Sequence, residues 1–225
     1  RGAGGVQHRR VDLATKGAVV AMATTRANMP QRLPDYATGT ASHSWWGIAL
    51  MVMIESAVFA GLIASYFYLF ANATVWPPDG ISPPDLLLPT VYTVVLTASI
   101  VPAWLGDRSL ANDDTAGYRL WKAIGTLLLV VFLAMKIWEY LHLDYQWDEN
   151  AYTSIVWTIA GFHGAHVLVV LLKTGVQQVL GWKGFFHARR RSAVQGTTLY
   201  WLFVVIVWLV LYPTVYLFPN FAQKL

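Results

Sequence analysis

The chain has 225 residues, of which 56% are hydrophobic and only 12% charged, with a net charge of +4 at pH 7 and no cysteine. Soluble domains carry about 25% charged residues, so this composition points to a membrane protein. The lack of cysteine excludes disulfides, thiolate metal centres and thiol nucleophiles. The small positive charge is not a nucleic-acid footprint, because its distribution follows membrane topology, as shown below.

Residues 1–42 come first and differ from the rest. They are rich in Ala, Gly, Thr and Arg, hold no apolar run long enough to span a bilayer, and contain Pro30 and Pro34, which interrupt any continuous helix. They are expected to form an extended or partly disordered cytoplasmic arm, without the apolar core of a secretory signal. Residues 43–225 are expected to form one transmembrane domain.

Five apolar stretches follow, at residues 45–70, 86–105, 120–141, 154–180 and 199–217. Each provides the roughly 20 residues a helix needs to cross the hydrocarbon core. Helices are the expected form because lipid offers the backbone no hydrogen-bond partners. The alternating segments of about 10 residues that mark a membrane barrel are absent. The predicted fold is all-α, a polytopic bundle of five transmembrane helices. Short loops predict that consecutive helices pack as antiparallel neighbours. The first loop, with Pro77, Pro78, Gly80, Pro83 and Pro84, is expected to be a rigid connection.

The cations set the orientation. Arg1, Arg9, Arg10, Lys16, Arg26 and Arg32 lie in the arm; Arg108, Arg119 and Lys122 flank the second loop; Lys183, Arg189, Arg190 and Arg191 fill the fourth. The loops on the other side hold no Lys or Arg but carry Asp79, Asp85, Asp144, Asp148 and Glu149, with Lys224 alone in the tail. The positive-inside rule places the N-terminus in the cytoplasm and the C-terminus outside. The run Arg189, Arg190 and Arg191 reads as a topology anchor that attracts anionic head groups. Trp45, Trp46, Trp76, Trp147 and Trp182 sit at the expected interfaces.

Ionisable residues within a span are costly and face protein or water. Glu55 falls ten residues into the first span, about 15 Å deep. It is either a proton-relay carboxyl or, the favoured reading, a carboxyl hydrogen-bonded to a neighbouring helix that fixes packing. His163 and His166 share one face of the fourth span at similar depth. Two His without a nearby Cys or carboxylate on that helix are too few ligands for a metal site. Interhelical hydrogen bonding, with Glu55 as a partner, is favoured, and Gly161 and Gly164 are expected to admit a close neighbour. Lys136, Glu139 and His142 follow at single-turn spacing, with Lys136 and Glu139 set for an i,i+3 ion pair. Lys173 is expected to snorkel. The second and fifth spans offer few polar residues, which argues against a gated ion path. No phosphate loop, nucleophile elbow or dinucleotide fingerprint is present, so no catalytic residue, metal site or bound cofactor is expected in this chain.

Three ordered segments resemble the cytochrome c oxidase subunit III family of haem–copper terminal oxidases. The first runs from Trp45, Trp46 and Gly47 through Glu55 and Ser56 to Phe59, Ala60, Gly61 and Leu62, then Tyr66, Phe67, Tyr68 and Leu69. The second joins Glu139 and Tyr140 to Gly161, Phe162, His163, Gly164, Ala165, His166 and Val167. The third comprises Leu199, Tyr200, Trp201, Val207, Trp208, Tyr212, Pro213, Tyr216 and Leu217. The resemblance spans residues 45–219 and is to the five-helix form. It departs at Leu202 and Val205, where the family pattern commonly has His and Asp.

The resemblance implies a non-catalytic core subunit of a proton-translocating, aerobic respiratory oxidase in the bacterial cytoplasmic membrane. Such a subunit packs on catalytic subunit I, within a complex that includes subunit II, and encloses phospholipids. It supports proton uptake and sustained turnover. Haem and copper reside in the partner subunits, and cytochrome c donates electrons to the complex without binding here. Glu55, His163 and His166 then form a buried polar cluster beside a lipid cleft, and the basic loops with Arg108 and Arg189, Arg190 and Arg191 influence local proton or head-group concentration. Related readings are a subunit of a quinol oxidase or nitric-oxide reductase. Readings of a different class are a solitary transporter or proton channel, or an assembly protein.

Overall fold

The computed structural model describes residues 43–78 and 80–222. The arm at 1–42, Asp79 and Lys224 lie outside them. Five helical spans are present: α1 (His43–Asn72), a second made of α2 (Leu87–Ala98) and α3 (Ile100–Ala111), α4 (Thr115–Leu141), α5 (Ala151–Trp182), and a last one beginning with α6 (Ser192–Tyr212). The last span continues through a π-helical turn at Pro213–Leu217 into the short α7 (Phe218–Ala222). Among the described residues there is no strand. Every span overruns its apolar stretch, because the backbone keeps its helical bonds past the hydrocarbon edge where polar residues such as Arg108, Arg119 and Gln195 begin. The Asp114 carboxylate caps α4 by accepting from the Gly117 N–H at 2.8 Å. Asn150 and Thr153 form a reciprocal cap at the start of α5.

Two prolines explain the breaks. Pro102 cannot donate to the carbonyl four residues earlier, and the second span is interrupted at Ser99, whose hydroxyl donates to the Leu96 carbonyl at 2.6 Å. Pro213 likewise removes a donor from the last span, and the chain widens into the π-helical turn, with the Phe218 N–H returning to the Pro213 carbonyl.

The central helix is α6, which packs against α1, α2, α3 and α5. Its Tyr200, Trp201, Val204, Val205, Trp208 and Leu211 are buried. Its inner face is therefore that of an interior helix, while Leu202, Ile206, Leu209 and Val210 are exposed on the other side. Lipid tails supply no hydrophobic drive for helix association, so close packing and interhelical hydrogen bonds must do so. The Trp201 indole donates to Ser99 Oγ at 2.9 Å and the Trp208 indole to Thr93 Oγ1 at 2.8 Å. Thr90 and Tyr212 share a 2.7 Å bond, and Gln177 donates to Thr197 Oγ1 at 2.8 Å. Each such bond contributes about 0.6 kcal/mol.

Four expectations change. Consecutive spans are not all packed neighbours: α1 packs on α5 and α6 rather than on the second span. The Pro-rich first loop makes this crossing possible, anchored by Trp76, which is buried among Tyr66, Phe70 and Tyr152 and donates to the Tyr66 hydroxyl at 3.2 Å. Trp76 is thus a core residue, whereas Trp46, Trp147 and Trp182 are exposed as interfacial anchors would be. Lys122, counted among the loop cations, is fully buried, its ammonium 2.9 Å from Thr198 Oγ1 and beside the Trp201 ring. Gly161 and Gly164 admit no close neighbour, since a Cβ at either would meet nothing within 4 Å.

The close approaches occur elsewhere. A Cβ on Gly125 would lie 2.9 Å from the Trp201 ring and one on Gly181 2.8 Å from the Tyr118 ring. Gly125→Ala is expected to destabilise the assembled protein by about 1–3 kcal/mol, while Gly161→Ala and Gly164→Ala leave it unchanged or slightly stabilised. Thermal denaturation of the three variants in one detergent checks this ordering.

Candidate functional site

Two polar clusters lie inside the bundle, at different depths. The first joins α1, α5 and α6. Glu55 Oε1 accepts from the Tyr200 hydroxyl at 3.3 Å, and Glu55 Oε2 lies 3.5 Å from His166 Nε2. His166 Nδ1 donates to the Phe162 carbonyl at 2.7 Å. Glu55 Oε2 is buried and makes no hydrogen bond, so the 3.5 Å approach to His166 is a close polar contact between the two helices. Lys173 lies over the Tyr200 ring at 4.9 Å and extends the cluster toward the basic end. Phe59 lies between this cluster and His163, with its ring centroid 5.1 Å from that of His166 and 6.5 Å from that of His163.

His163 does not meet Glu55. It is buried against Trp208 and Phe132, its Nε2 donates to the Val204 carbonyl at 3.1 Å, and its Nδ1 has no partner. The sequence-predicted trio is therefore a pair, Glu55 with His166, and a separate His163 about one turn away.

The second cluster centres on Lys136, which is 2% exposed, and Glu139, 12% exposed, with 2.6 Å between ammonium and carboxylate. The ammonium has three donors, and each finds an oxygen: Glu139 Oε2, the Tyr92 hydroxyl at 3.3 Å and the Tyr216 hydroxyl. Both phenols in turn donate to Glu139, from 3.1 and 3.2 Å. Four rings surround the ammonium, with the centroids of Tyr92, Tyr140, Trp208 and Tyr216 at 4.9–5.3 Å. Cation–π attraction and full hydrogen bonding together offset the desolvation of the pair. His142 takes no part. Its ring stacks on Trp138, and its Nδ1 donates to the Trp138 carbonyl at 2.8 Å.

Between the clusters lies a layer of rings, Phe132, Trp208, His163 and Phe59, with no side-chain hydrogen bond from Lys136 to His163 or from His163 to His166 among the described contacts. A continuous proton wire along the bundle is therefore not built from these side chains. At the basic end, Arg191 approaches the Asp107 carboxylate at 4.0 Å, Arg108 lies over Trp104 and Arg190 over Phe185. Arg189 is exposed. Among the described residues, no three His, Asp or Glu side chains gather as metal ligands.

Comparison with known proteins decides the family. The model of the family described as "Cytochrome c oxidase subunit III" matches residues 36–220. The chain belongs to the cytochrome c oxidase subunit III family. It is 35% identical to cytochrome c oxidase subunit 3 of Synechocystis sp. over 176 residues, covering 76% of this chain and 74% of that protein. It is 32% identical to the subunit 3 of Thermostichus vulcanus, covering 78% and 87%. A probable subunit 3 of Nocardia farcinica is also 32% identical, covering 76% and 85%. As a subunit III, the chain is a multi-pass membrane component of a haem–copper oxidase and works in complex with other oxidase subunits.

The positions that depart from the family pattern differ in setting. Val205 is completely buried, so an Asp there would need a polar partner inside the bundle, whereas Leu202 is exposed. The phenols of Tyr92, Tyr200 and Tyr216 complete both clusters, yet the polar pattern of the sequence did not single them out as partners. The available signal was their depth, since tyrosines within a span, away from the interfacial belt, need partners for their hydroxyls. The Lys136–Glu139 pair yields a thermodynamic prediction. Lys136→Met or Glu139→Gln alone should each cost about 3–5 kcal/mol by stranding the other charge. The double variant should recover most of that loss, as a double-mutant cycle of denaturation in detergent will reveal.

Proposed function

We propose that this subunit packs against the catalytic subunit, holds phospholipid between and beside its helices, and sustains proton uptake and turnover during oxygen reduction. The observation that carries the reading is the combination of inward-turned polar groups with uncovered apolar faces. Phe59 and Tyr66 are the buried residues of α1, while Leu50, Met53, Ile54 and Val58 are exposed. Val101 and Trp104 of α3 and Leu168, Leu172 and Val176 of α5 are exposed as well. Such faces suit lipid tails and a larger membrane partner, and the ring layer between the clusters suits a packing subunit better than a conduit.

In this reading the catalytic subunit I and subunit II hold the haem and copper, and cytochrome c delivers electrons to the complex. The chain sits in the bacterial cytoplasmic membrane with its basic end, including Arg108, Arg189, Arg190 and Arg191, in the cytoplasm. Those cations raise the local concentration of anionic head groups and hold them near the end where Lys173 and Asp107 lie. Glu55 and His166 tie α1 to α5, so the exposed face of α1 keeps a fixed position beside lipid. The names of the relatives, all cytochrome c oxidase subunit 3, favour this donor over quinol.

The oxidase purified without this chain should retain its initial rate of oxygen reduction but inactivate after several-fold fewer turnovers. A complex carrying Glu55→Ala should fall between it and the wild type. The number of turnovers before inactivation, measured with an oxygen electrode in liposomes, tests the proposal. An equal turnover lifetime with and without the chain would reject it.

A further inference from the structure

The Lys136–Glu139 cluster opens toward one end of the bundle only. Glu139 and His142 line a cavity of about 660 Å³ at the acidic end, walled by the loop from Gly80 to Asp85 and by Asp144, Tyr145 and Glu149. Behind it lies a second cavity of about 20 Å³, lined by Glu139, Tyr140, Tyr145 and Tyr216 together with apolar side chains. The Tyr140 hydroxyl is buried and has no hydrogen-bond partner in the protein. A polar cavity of roughly 10–15 Å³ or more accommodates one water, which normally makes about three hydrogen bonds to such groups. On the opposite side, Tyr92, Phe132 and Trp208 close the cluster, with centroids 5.5–5.8 Å apart.

We propose that Glu139 is a one-sided proton-exchange site, open to the aqueous cavity at the acidic end, backed by an internal water at Tyr140 and sealed from the basic end by aromatic rings. The exchange is a simple protonation. A proton from the aqueous cavity passes to the Glu139 carboxylate that lines it, the internal water behind the carboxyl holds it in hydrogen bond, and no other bond is made or broken. Glu139 sits about 3 Å inside the end of α4 at 1.5 Å per residue, and its side chain is only 12% exposed, so the exchanging carboxyl lies at the edge of the span rather than free on the surface.

The groups that face it set its behaviour. From its own helix these are Lys136 and Tyr140, from α2 Tyr92, and from the π-helical turn Tyr216. His163 of α5 lies beyond the Trp208 ring. Asp85, Asp144 and Glu149 surround the aqueous cavity, and their negative charge concentrates protons there. Tyr145, in the loop outside the spans, has its phenol pushed up to about 12 by burial and by the Glu139 charge. It remains a hydrogen-bond donor throughout the working range.

The test uses the complete oxidase complex in liposomes with the acidic end outward. Acidifying the external medium, with the interior buffered, should bring up a protonated-carboxyl infrared band that is missing in Glu139→Gln. In Lys136→Met the frequency of that band should shift, because the ammonium that faces the carboxyl at 2.6 Å is gone. A band that is the same in Glu139→Gln, or that answers external pH only after a protonophore is added, would overturn the proposal. Tyr140→Phe removes one hydroxyl and leaves the ion pair intact, so it guards against misfolding of the charge variants. High-resolution electron microscopy should show a water peak bonded to Tyr140 in the wild type and not in Tyr140→Phe. An empty cavity, in a map that resolves other internal waters, would equally overturn it.

Discussion

A bilayer interior offers no water to a stray donor or acceptor, and most of the architecture of this chain answers that constraint. The central helix α6 is almost wholly apolar in sequence, yet its two interior indoles reach out to hydroxyls on the second span, Trp201 to Ser99 and Trp208 to Thr93. These contacts fix the rotation of α6, and with it the side on which Tyr200 meets Glu55. The same demand closes the Lys136 cluster, where three ammonium protons meet three oxygens. A polar group in this protein is therefore informative about geometry in a way that an apolar one is not.

The prolines act within the same constraint. Each leaves a carbonyl without its helical donor, and each break sits where something else is gained. The interruption before Pro102 presents the Ser99 hydroxyl to an indole. The π-helical turn after Pro213 contains Tyr216, whose hydroxyl reaches Lys136 and Glu139. Two local departures from regular helix thus supply partners for the interior polar groups.

The spans were legible because length and apolar content suffice to define them, and the Lys136–Glu139 pair was legible because both partners lie on one helix at fixed spacing. Contacts between spans were harder to read. His163 and His166 share a face, but three residues of α5 rise about 4.5 Å, enough to bring only His166 to Glu55. Lys122 lies where the apolar stretch begins, which by position suits a surface cation, and only the packing of α3 and α6 around it shows it to be interior. Gly161 and Gly164 suggested a helix contact by residue type, whereas close approaches occur at Gly125 and Gly181, where rings from other helices arrive, and at Gly196, where Ile48 of α1 arrives. Sequence spacing speaks for one helix at a time, and the hydrogen-bond partners of His163, Lys122 and Glu55 lie 41, 76 and 145 positions away.

The route of the first loop bears on how the protein is made. Because α1 packs on α5 and α6 rather than on the span that follows it, two further spans are synthesised before its packing partners begin to appear. Its two buried aromatic residues, Phe59 and Tyr66, must spend that interval facing lipid or the insertion machinery. The partner of Glu55 in this helix, Tyr200, also arrives only with α6. Assembly of these five spans therefore closes back on α1, and a nascent chain halted before residue 192 would hold α1 and α5 without α6, one of the two helices that pack on α1.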